Sequence, residues 1–300
     1  MESIQYPELD PVMKTLVLPL YGRAECAKKY PRLFPDPSAE RLVSQIGCEV
    51  GSLHHADLTL LTWALRKRIL CERVRNYLKA HPRATVVNLG CGADESFSAV
   101  DNGSCRWINL DLPEVIAERE KMMQLRERES NIGMSAFDLH WLDRIESEPT
   151  NGLFVICGGM LMYFAEEKLR PLFTALAERF PDGGICFDTV SRAGMRKTNR
   201  MLEKTGNQDA EIVFAVDDAQ AMFLPWSDRF ASVNILEQMP DDIIHAREIP
   251  LLKRRMLELG MKMGIVRFIE IRFRKLYRIK HNTFSAIPPL MDQRKTCCAF

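Results

Sequence analysis

The sequence predicts an α/β fold in which a mostly parallel sheet carries helices on both faces. Three observations support this prediction. From residue 84 onward, short runs rich in β-branched residues alternate with amphipathic helical segments. The strand-like runs are almost continuously apolar, as is typical of strands that are buried on both faces. Hydrophobic residues make up 46% of the 300 positions, which is enough for one large buried core.

The first 80 residues are predicted to be mostly helical. Residues 15–30 (TLVLPLYGRAECAKKY) and 37–47 (PSAERLVSQIG) have helical apolar spacing, and the proline-rich turn YPRLFPDP separates them. Residues 58–81 (LTLLTWALRKRILCERVRNYLKAH) form a long amphipathic candidate helix, which Pro82 stops.

The alternation of strands and helices begins after Pro82. The predicted strands are ATVVNL (84–89), RWINLDL (106–112), a buried run within NGLFVICGGMLMYF (151–164), and GICFDTV (184–190). The predicted helices between them are PEVIAEREKMMQLRERE (113–129), which opens on a proline, and EEKLRPLFTALAERF (166–180). Since helices connect the strands, the strands are expected to be parallel.

The last third of the chain is less regular. Residues 191–231 are mixed and mostly helical, SVNILEQ resembles a strand, and DDIIHAREIPLLKRRMLELG resembles a helix. In VRFIEIRFRKLYRIK, alternate apolar positions predict a late strand, with a helix as the alternative. The apolar positions are Ile269, Ile271, Phe273, Tyr277 and Ile279.

Composition and charge exclude several classes of protein. Lys and Arg number 41 and Asp and Glu 40, so no global basic field indicates a nucleic acid or a membrane surface as partner. None of the nine cysteines forms a CxxC pair, which makes a zinc site or a disulfide framework unlikely on spacing alone, and no metal site is expected. The N-terminus lacks the pattern of a signal peptide, and no apolar stretch reaches membrane-spanning length. The expected compartment is the cytoplasm.

The most informative stretch is VVNLGCGADESF, where a predicted strand ends in two glycines. Gly90 and Gly92 allow a sharp turn and let a ligand approach backbone N–H groups. The next strand ends in Asp111, 21 residues after Gly90, which is the spacing of an acid that accepts ribose hydroxyls. A plain tight turn with acids that cap a helix is the alternative. Together the residues predict a nucleoside ligand at the carboxyl edge of the sheet.

The type of nucleoside follows from the position of Glu95. A dinucleotide fold would have its third glycine there, and an acid is unsuited to a pyrophosphate at a helix N-terminus. S-adenosylmethionine carries ribose hydroxyls, a sulfonium and an ammonium, but no phosphate. Asp94 and Glu95 near the loop therefore favour S-adenosylmethionine.

These motifs resemble those of the leucine carboxyl methyltransferase-like family, especially its bacterial branch of polyketide-type O-methyltransferases. The family pattern reads roughly V-x-L-G-x-G-L-D-T-R-F followed by W-x-x-x-D-x-P-E-V-I-x-x-R, and this chain has VVNLGCGADESF and RWINLDLPEVIAERE. A later family element, E-G-x-L-x-Y-L, is similar to GGMLMYF. The likeness extends from about Leu16 to Phe273. The second motif matches at Trp107, Asp111, Pro113, Glu114, Val115, Ile116 and Arg119.

The resemblance implies a class I S-adenosylmethionine-dependent methyltransferase with a Rossmann-like, seven-stranded sheet whose last strand is antiparallel. Residues 1–80 would form a helical N-terminal cap segment. Residues 81–300 would form the cofactor-binding core, and an insertion at about 191–231, after the fifth strand, would cover the site. The whole would be one structural domain.

The resemblance also implies roles for individual residues. The loop glycines and the following acid line the cofactor pocket, the acid of the second strand holds the ribose, an Asp-Leu pair borders the adenine, and arginines of the N-terminal helices meet the cofactor carboxylate. Gly158 stands where relatives have an acid near the amino end of the cofactor, and DESF replaces D-T-R-F. The implied cofactor-binding residues are Arg23, Arg66, Gly90, Cys91, Gly92, Asp94, Asp111, Leu112, Asp138, Leu139 and Gly158.

Methyl transfer to oxygen requires mainly alignment of acceptor, methyl carbon and sulfur, with no covalent protein nucleophile. Tyr163 and His140 are the candidate catalytic residues, and Tyr163, Arg192 and Trp226 are candidate substrate contacts. For each, a packing or surface role is the alternative. The predicted function is O-methylation of a carboxylate or phenol of a small molecule, and the resemblance implies a role in secondary metabolism. A protein carboxyl methyltransferase and a cofactor-binding protein without catalysis remain the alternatives.

Overall fold

A computed structural model describes residues 4–5, 11–46, 48–49, 57–145, 151–205 and 211–275. The helices in chain order are α1 (Pro11–Lys29), α2 (Pro37–Ile46), α3 (Asp57–Ala80), α4 (Phe97–Val100), α5 (Pro113–Met122), α6 (Glu166–Arg179), α7 (Arg192–Thr205), α8 (Ala219–Phe223), α9 (Asp241–Ile244) and α10 (Leu251–Lys262). The strands are β1 (Ile4–Gln5), β2 (Cys48–Glu49), β3 (Thr85–Leu89), β4 (Arg106–Asp111), β5 (Glu129–Gly133), β6 (Leu153–Cys157), β7 (Gly184–Thr189), β8 (Phe230–Leu236) and β9 (Arg267–Phe273).

Seven strands form the main sheet in the order β5-β4-β3-β6-β7-β9-β8. The first five run parallel, and β9 lies antiparallel between β7 and β8. Every residue of the central strands β3, β6 and β7 is buried, because helices cover both faces of the sheet. The predicted seven-stranded, mostly parallel α/β fold is confirmed.

The strand β5 was not among the strands predicted from residue patterns. Its sequence, ESNIG, is mostly polar because β5 is the edge strand and is buried less than the centre of the sheet. The predicted helix 113–129 accordingly ends early, at Met122, and the chain turns extended at Met123. An edge strand lacks the continuous apolar run by which the central strands are recognised.

Of two later predictions, one changed and one is confirmed. The single helix predicted for 241–260 is divided into α9 and α10, because Pro250 cannot continue the backbone hydrogen bonds of a helix and instead caps α10. The late strand is confirmed as β9, and Ile269, Ile271 and Phe273 are buried along it. Tyr277 and Ile279 lie outside the described residues.

The helices α1, α2 and α3 pack together next to the carboxyl edge of β3. Along α3, Leu70, Val74 and Tyr77 join the core beneath β3, β4 and β6. Farther up, Leu61 and Leu65 of α3 pack with side chains of α1 and α10 in a second cluster. The helix α3 thus fixes the N-terminal helices to the sheet.

The described part of the insertion 191–231 packs beside the end of β7. Met162, Val190, Ile212 and Ala215 form a small apolar cluster there, and the backbone N–H of Val213 donates to the carbonyl of Met162. None of the described helices is long and apolar enough to cross a membrane.

Candidate functional site

A cavity of about 350 Å³ opens at the carboxyl ends of β3 and β6. The chain leaves β3 toward β4 and later returns to β6 on the other side, so this is the topological switch point of the sheet, where ligands of open α/β folds bind. The volume is within the range of small-molecule sites. The cavity is lined by Leu16, Pro19, Leu20, Arg23, Trp63, Arg66, Lys67, Leu70, Asn88, Gly90, Cys91, Gly92, Ala93, Asp94, Ser96, Asp111, Val115, Ile156, Gly158, Gly159, Met160, Tyr163 and Phe164.

The glycine loop after β3 has a backbone that other residues rarely adopt. Gly90 and Gly92 have φ of 67° and 47°, in the left-handed region. The N–H of Gly90 donates to the carbonyl of Leu110 at 2.8 Å, which ties the loop to β4. A Cβ on Gly90 would lie 2.6 Å from the sulfur of Met160. The left-handed backbone therefore favours glycine at both positions, and at Gly90 the contact with Met160 adds a steric reason.

Asp111, at the end of β4, is held by the backbone on both carboxylate oxygens. Its Oδ2 accepts from the N–H of Gly92 and its Oδ1 from the N–H of Leu112, each at 2.8 Å. Burial raises the pKa of the Asp111 carboxyl, and these two N–H donors oppose the shift. Each carboxylate oxygen has a second lone pair and can accept one more hydrogen bond. A ligand with two neighbouring hydroxyl groups needs two such acceptors.

Arg66 of α3 reaches the cavity across the end of β6. Its Nε donates to Oδ2 of Asp188 at 2.7 Å, and the N–H of Gly159 donates to Oδ1 of the same carboxylate at 2.6 Å. Asp188 is only 1% exposed. Among the described residues, neither terminal nitrogen of Arg66 has a hydrogen-bond partner. The paired Nε and free terminal nitrogens suit bidentate binding of a ligand carboxylate.

The double glycine after β6 makes room for this arginine. A Cβ at Gly158 would lie 3.0 Å from Cδ of Arg66, and a Cβ at Gly159 would lie 2.6 Å from its Nη1. A side chain at position 158 would therefore crowd the aliphatic part of Arg66, and one at position 159 would require its Nη1 to move. Asp188, which lies near the end of β7, was not identified from sequence patterns as a site residue.

Arg23 and Asp94 belong to a network of four charged groups at one wall of the cavity. Arg23 Nη1 donates to Asp94 Oδ1 at 2.9 Å, Lys67 Nζ donates to Asp36 Oδ2 at 2.9 Å, and Lys67 is 3.4 Å from Asp94. Arg23 Nε lies 3.3 Å from Asp36, and Nη2 donates to the carbonyl of Ala93. The Nη1 and Nη2 donors of Arg23 therefore support the glycine loop. The sequence prediction had assigned this side chain to the cofactor.

This network changes the acidity of its carboxyls. Burial alone would raise the pKa of Asp36 and Asp94, but Lys67 and Arg23 hold both values below the usual range. Asp36 and Lys67 were not predicted as site residues. Lys67 directly follows Arg66 in WALRKRIL, and that adjacency is the one sequence signal that pointed to it.

Two further charged residues of the sequence motifs, Arg119 and Glu95, stabilise the glycine loop without lining the cavity. Arg119 of α5 donates to the carbonyls of Gly92 and Asp94 at 2.9 and 2.5 Å. Glu95 is buried and forms ion pairs with Arg41 and Arg126. Since Glu95 does not line the cavity, its role among the described contacts is structural.

Apolar and aromatic side chains form much of the cavity lining, and we call them the apolar wall. Tyr163 is 42% exposed, and burial raises the pKa of its phenol, with Asp188 adding to the shift and Arg66 opposing it. Trp63 of α3 lines the cavity but was not predicted as a site residue, because in the sequence it is one apolar position of an amphipathic helix. The side chains of this wall are Leu16, Pro19, Leu20, Trp63, Met160, Tyr163 and Phe164.

The predicted adenine pair lies outside the cavity lining. Asp138 caps a short 3-10 helix by accepting from the backbone N–H of His140 at 3.2 Å, and from its Nδ1 at 2.7 Å. The His140 contact lowers the pKa of Asp138, and the same contact raises the pKa of His140. Leu139 and the exposed Leu112 are likewise not among the lining residues.

The structure does not bring Arg192 or Trp226 to the cavity. Arg192 is exposed at the start of α7, with its Nε 3.6 Å from Asp217. Trp226 is 6% exposed and packs on Phe223 and Phe173, with ring centroids 4.7 and 5.6 Å away. These placements correspond to the surface and packing alternatives. Tyr163 is the candidate substrate contact that does line the cavity.

Cys91 and Gly158 line the cavity as predicted, and burial raises the pKa of the Cys91 thiol far above its ordinary value. The neutral thiol thus contributes volume rather than charge. Among the described residues, no group of His, Cys, Asp or Glu side chains is arranged to hold a metal ion.

Comparisons with known proteins agree with this architecture. Residues 17–177, more than half of the chain, match the family model described as leucine carboxyl methyltransferase. The tetracenomycin polyketide synthesis O-methyltransferase TcmP of Streptomyces glaucescens is 29% identical over 201 residues, covering 65% of this chain and 73% of that protein.

Two solved structures share the fold. A proposed methyltransferase from Thermobifida fusca YX has a TM-score of 0.54 at 10% identity, covering 84% of this chain and 94% of that one. A DUF574 family protein from Streptomyces avermitilis MA-4680 has a TM-score of 0.51 at 11% identity, covering 83% and 97%. At such identities the likeness concerns the fold alone.

Proposed function

Because this chain belongs to the leucine carboxyl methyltransferase family of S-adenosylmethionine-dependent methyltransferases, we propose that it methylates a carboxylate or phenol oxygen of a small molecule. One observation carries the proposal. A single cavity joins a nucleoside-type edge, formed by the glycine loop and Asp111, to an apolar wall that contains Trp63, Tyr163 and Phe164.

The residues present fit S-adenosylmethionine. Asp111 offers acceptor oxygens for the ribose hydroxyls, and the left-handed Gly90 and Gly92 expose bare backbone beside it. Arg66 offers two free terminal nitrogens for the carboxylate of the methionine moiety. When bound, S-adenosylmethionine supplies a methyl group already activated by its sulfonium.

The protein's part in such a reaction is positioning. The family's chemistry is an in-line displacement, so the walls must hold the acceptor oxygen in line with the methyl group and exclude water. The apolar wall suits an acceptor with an apolar or aromatic body. Tyr163 carries the hydroxyl of that wall, and as a phenol it can donate a hydrogen bond to an acceptor oxygen at neutral pH.

The relative supports the choice of oxygen as the atom methylated. The name of TcmP states an O-methyltransferase of polyketide synthesis, and TcmP aligns with 65% of this chain. A polyketide-like aromatic acceptor would fit the aromatic wall. We therefore place the acceptor among aromatic carboxylates and phenols of secondary metabolism.

Calorimetric titration of the purified protein with S-adenosylmethionine, and separately with NAD, tests the first half of the proposal. We expect micromolar binding of S-adenosylmethionine and none of NAD. The absence of S-adenosylmethionine binding would contradict the proposal and reduce the glycine loop to a turn.

Methyl transfer from radiolabelled S-adenosylmethionine to a panel of aromatic carboxylates and phenols tests the second half. Mild base releases methanol from a methyl ester but not from an aryl methyl ether, so the label distinguishes the two oxygens. Label that enters a protein and disappears when its last residue is removed would instead identify a protein carboxyl methyltransferase. Tight binding with no transfer to any acceptor would identify a non-catalytic binder.

A further inference from the structure

The outward face of α10 is apolar although it is exposed. Four side chains lie there at spacings of four, three and four residues: Leu252 is 71% exposed, Met256 46%, Leu259 55% and Met263 57%. Such spacing places them on one side of the helix. We call these four residues the α10 stripe. A contiguous exposed apolar patch marks a surface that meets another apolar phase.

The helix cannot rotate to bury the stripe. Leu257 and Met261, on the opposite side, are each 7% exposed and belong to the core that α10 shares with α3. Arg254 donates its Nε and Nη1 to the backbone carbonyls of Ile249 and Ile244 at 3.1 and 2.5 Å. The packed side and the arginine therefore fix the orientation of the stripe toward solvent.

Cations border the stripe on both sides. Arg255 and Lys262 lie along one side, 71% and 63% exposed, and share Glu258 at 3.1 and 2.8 Å. Lys253 lies along the other side and pairs with Asp57 of α3. The helix LLKRRMLELGMK contains four basic residues and one acidic residue. The balanced net charge of the whole chain conceals this local excess of positive charge.

We propose that the α10 stripe and its basic border bind the surface of an anionic lipid bilayer. An amphipathic helix lies in the headgroup region with its apolar side chains inserted, and flanking cations attract anionic lipids. The aliphatic stems of Arg255 and Lys262 can cover apolar surface while their charges reach the headgroups. This surface is separate from the cavity and does not depend on the proposed function.

Charge favours lipid over a second copy of the chain. Two α10 helices packed antiparallel through the stripe would bring the Arg255 and Lys262 side chains of both copies to one side, four cations against two Glu258 carboxylates, and a surplus of like charge across an interface is unfavourable. An anionic membrane brings the opposite charge to the same residues. It also accepts the convex surface of a single helix, which needs no complementary groove.

Co-sedimentation of the full chain with lipid vesicles tests the proposal. One set of vesicles contains phosphatidylcholine alone, and the other contains phosphatidylcholine with one third phosphatidylserine. We expect binding to the second set that weakens at high salt, since the Debye length falls from about 10 Å at 0.1 M to about 3 Å at 1 M. Failure of the full chain to bind phosphatidylserine vesicles would overturn the proposal.

Surface variants locate the binding residues. The double variant Leu252→Ser with Met256→Ser should weaken vesicle binding by at least roughly tenfold, because inserted apolar area drives binding. Arg255→Gln and Lys262→Gln should each weaken it by about fivefold, the equivalent of about 1 kcal/mol for each cation at the membrane. Leu125→Ser, at a 48% exposed leucine outside α10, is the matched control and should bind as the unmodified chain does.

Other occupants of the stripe predict different results. A dimer in analytical ultracentrifugation that the Leu252→Ser/Met256→Ser variant dissociates, without vesicle binding, would assign the stripe to a second copy. Protection of the Met256 and Met263 side chains from chemical oxidation, in a monomer that ignores vesicles, would mean that another part of this chain covers the stripe. Either result would overturn the lipid assignment, as would equal loss of binding in the Leu125→Ser control.

Discussion

Asp111 shows how a single side chain can prepare a ligand site. Its two oxygens accept from the N–H groups of Gly92 and Leu112, so the carboxylate is oriented before any ligand arrives. Sequence spacing predicted the residue, because an acid about 20 positions after a glycine loop ends the neighbouring strand. The hydrogen bonds that aim it depend on the left-handed loop.

We expect Asp111→Ala to weaken S-adenosylmethionine binding by at least ~1.5 kcal/mol, the scale of a hydrogen bond to a charged group. Calorimetric titration measures this loss. Asp143→Ala is the control, because Asp143 is exposed and pairs with Arg179 away from the cavity. Unchanged affinity in a folded Asp111→Ala protein would remove Asp111 from the ribose site.

Asp188 acts through Arg66 and not on the ligand itself. It is buried, does not line the cavity and holds both Arg66 and the N–H of Gly159. We expect Asp188→Asn to weaken S-adenosylmethionine binding by about 1.5–3 kcal/mol, the worth of a hydrogen bond to a charged group. Arg66→Ala should weaken it at least as much.

A double-mutant cycle distinguishes positioning from a general structural effect. If Asp188 acts through Arg66, then Asp188→Asn should have little further effect on affinity once Arg66 is alanine. Full additivity of the two losses would contradict the positioning role. If Arg66→Ala impairs acceptor binding alone, the carboxylate of the methyl donor binds elsewhere.

At the scale of elements, the charged network connects four segments. Arg23 comes from α1, Asp36 from the turn before α2, Lys67 from α3 and Asp94 from the loop after β3. Asp36 also accepts from the N–H of Ala39 in the first turn of α2. The N-terminal helices are thereby joined to the glycine loop by charge as well as by apolar packing.

This network predicts acid sensitivity. The pKa values of Asp36 and Asp94 are lowered in the folded protein, so their contribution to stability is complete above the unfolded value of about 3.9 and disappears as pH falls below it. The free energy of unfolding, measured by denaturant titration, should therefore fall more steeply below about pH 5 in the unmodified chain than in Asp36→Asn.

The same variant has a consequence at neutral pH. Asp36→Asn leaves Arg23 and Lys67 with one buried carboxylate instead of two, and should lose roughly 3–5 kcal/mol, the cost of breaking a buried ion pair. Asp143→Asn, at an exposed position, should change little. Equal pH dependence in both variants and the unmodified chain would contradict the role of the network.

At the scale of the whole molecule, the cavity lies between the N-terminal helices and the edge of the sheet. The helices α1 and α3 supply Arg23, Trp63 and Arg66, whereas the sheet side supplies Gly90 and Asp111. The described part of the insertion supplies none of the lining residues. Among the described residues, the N-terminal segment therefore lines this cavity and the insertion does not.

Ligand binding across this boundary should stabilise the entire fold. At a concentration 100 times the dissociation constant, S-adenosylmethionine should add about 2.7 kcal/mol and raise the midpoint of thermal unfolding by several degrees. Calorimetric scans with and without ligand measure this shift in a single transition. At the same ligand concentration Asp111→Ala should lose at least about half of the shift, and an unaltered shift in that variant would contradict its role.

The sequence by itself determined the central strands, the glycine loop and Asp111. Each of these follows from a local pattern. The central strands are continuous apolar runs, and the loop has glycines where φ is positive. Asp111 is an acid 21 residues after Gly90, at the end of the neighbouring strand. Arg66 and Tyr163 were also found by motif register, and both line the cavity. Such features depend on local steric rules and on strands that are neighbours in the chain, so they can be recognised in the sequence.

Only the tertiary structure decided which polar groups are already occupied. It assigned Arg23 to Asp94 and Trp226 to the aromatic core, and it brought Asp188 of β7 to Arg66. These pairings join residues as far as 122 positions apart in the chain. No local pattern records them, because a buried charge takes whichever partner the packing of distant elements brings within hydrogen-bond distance.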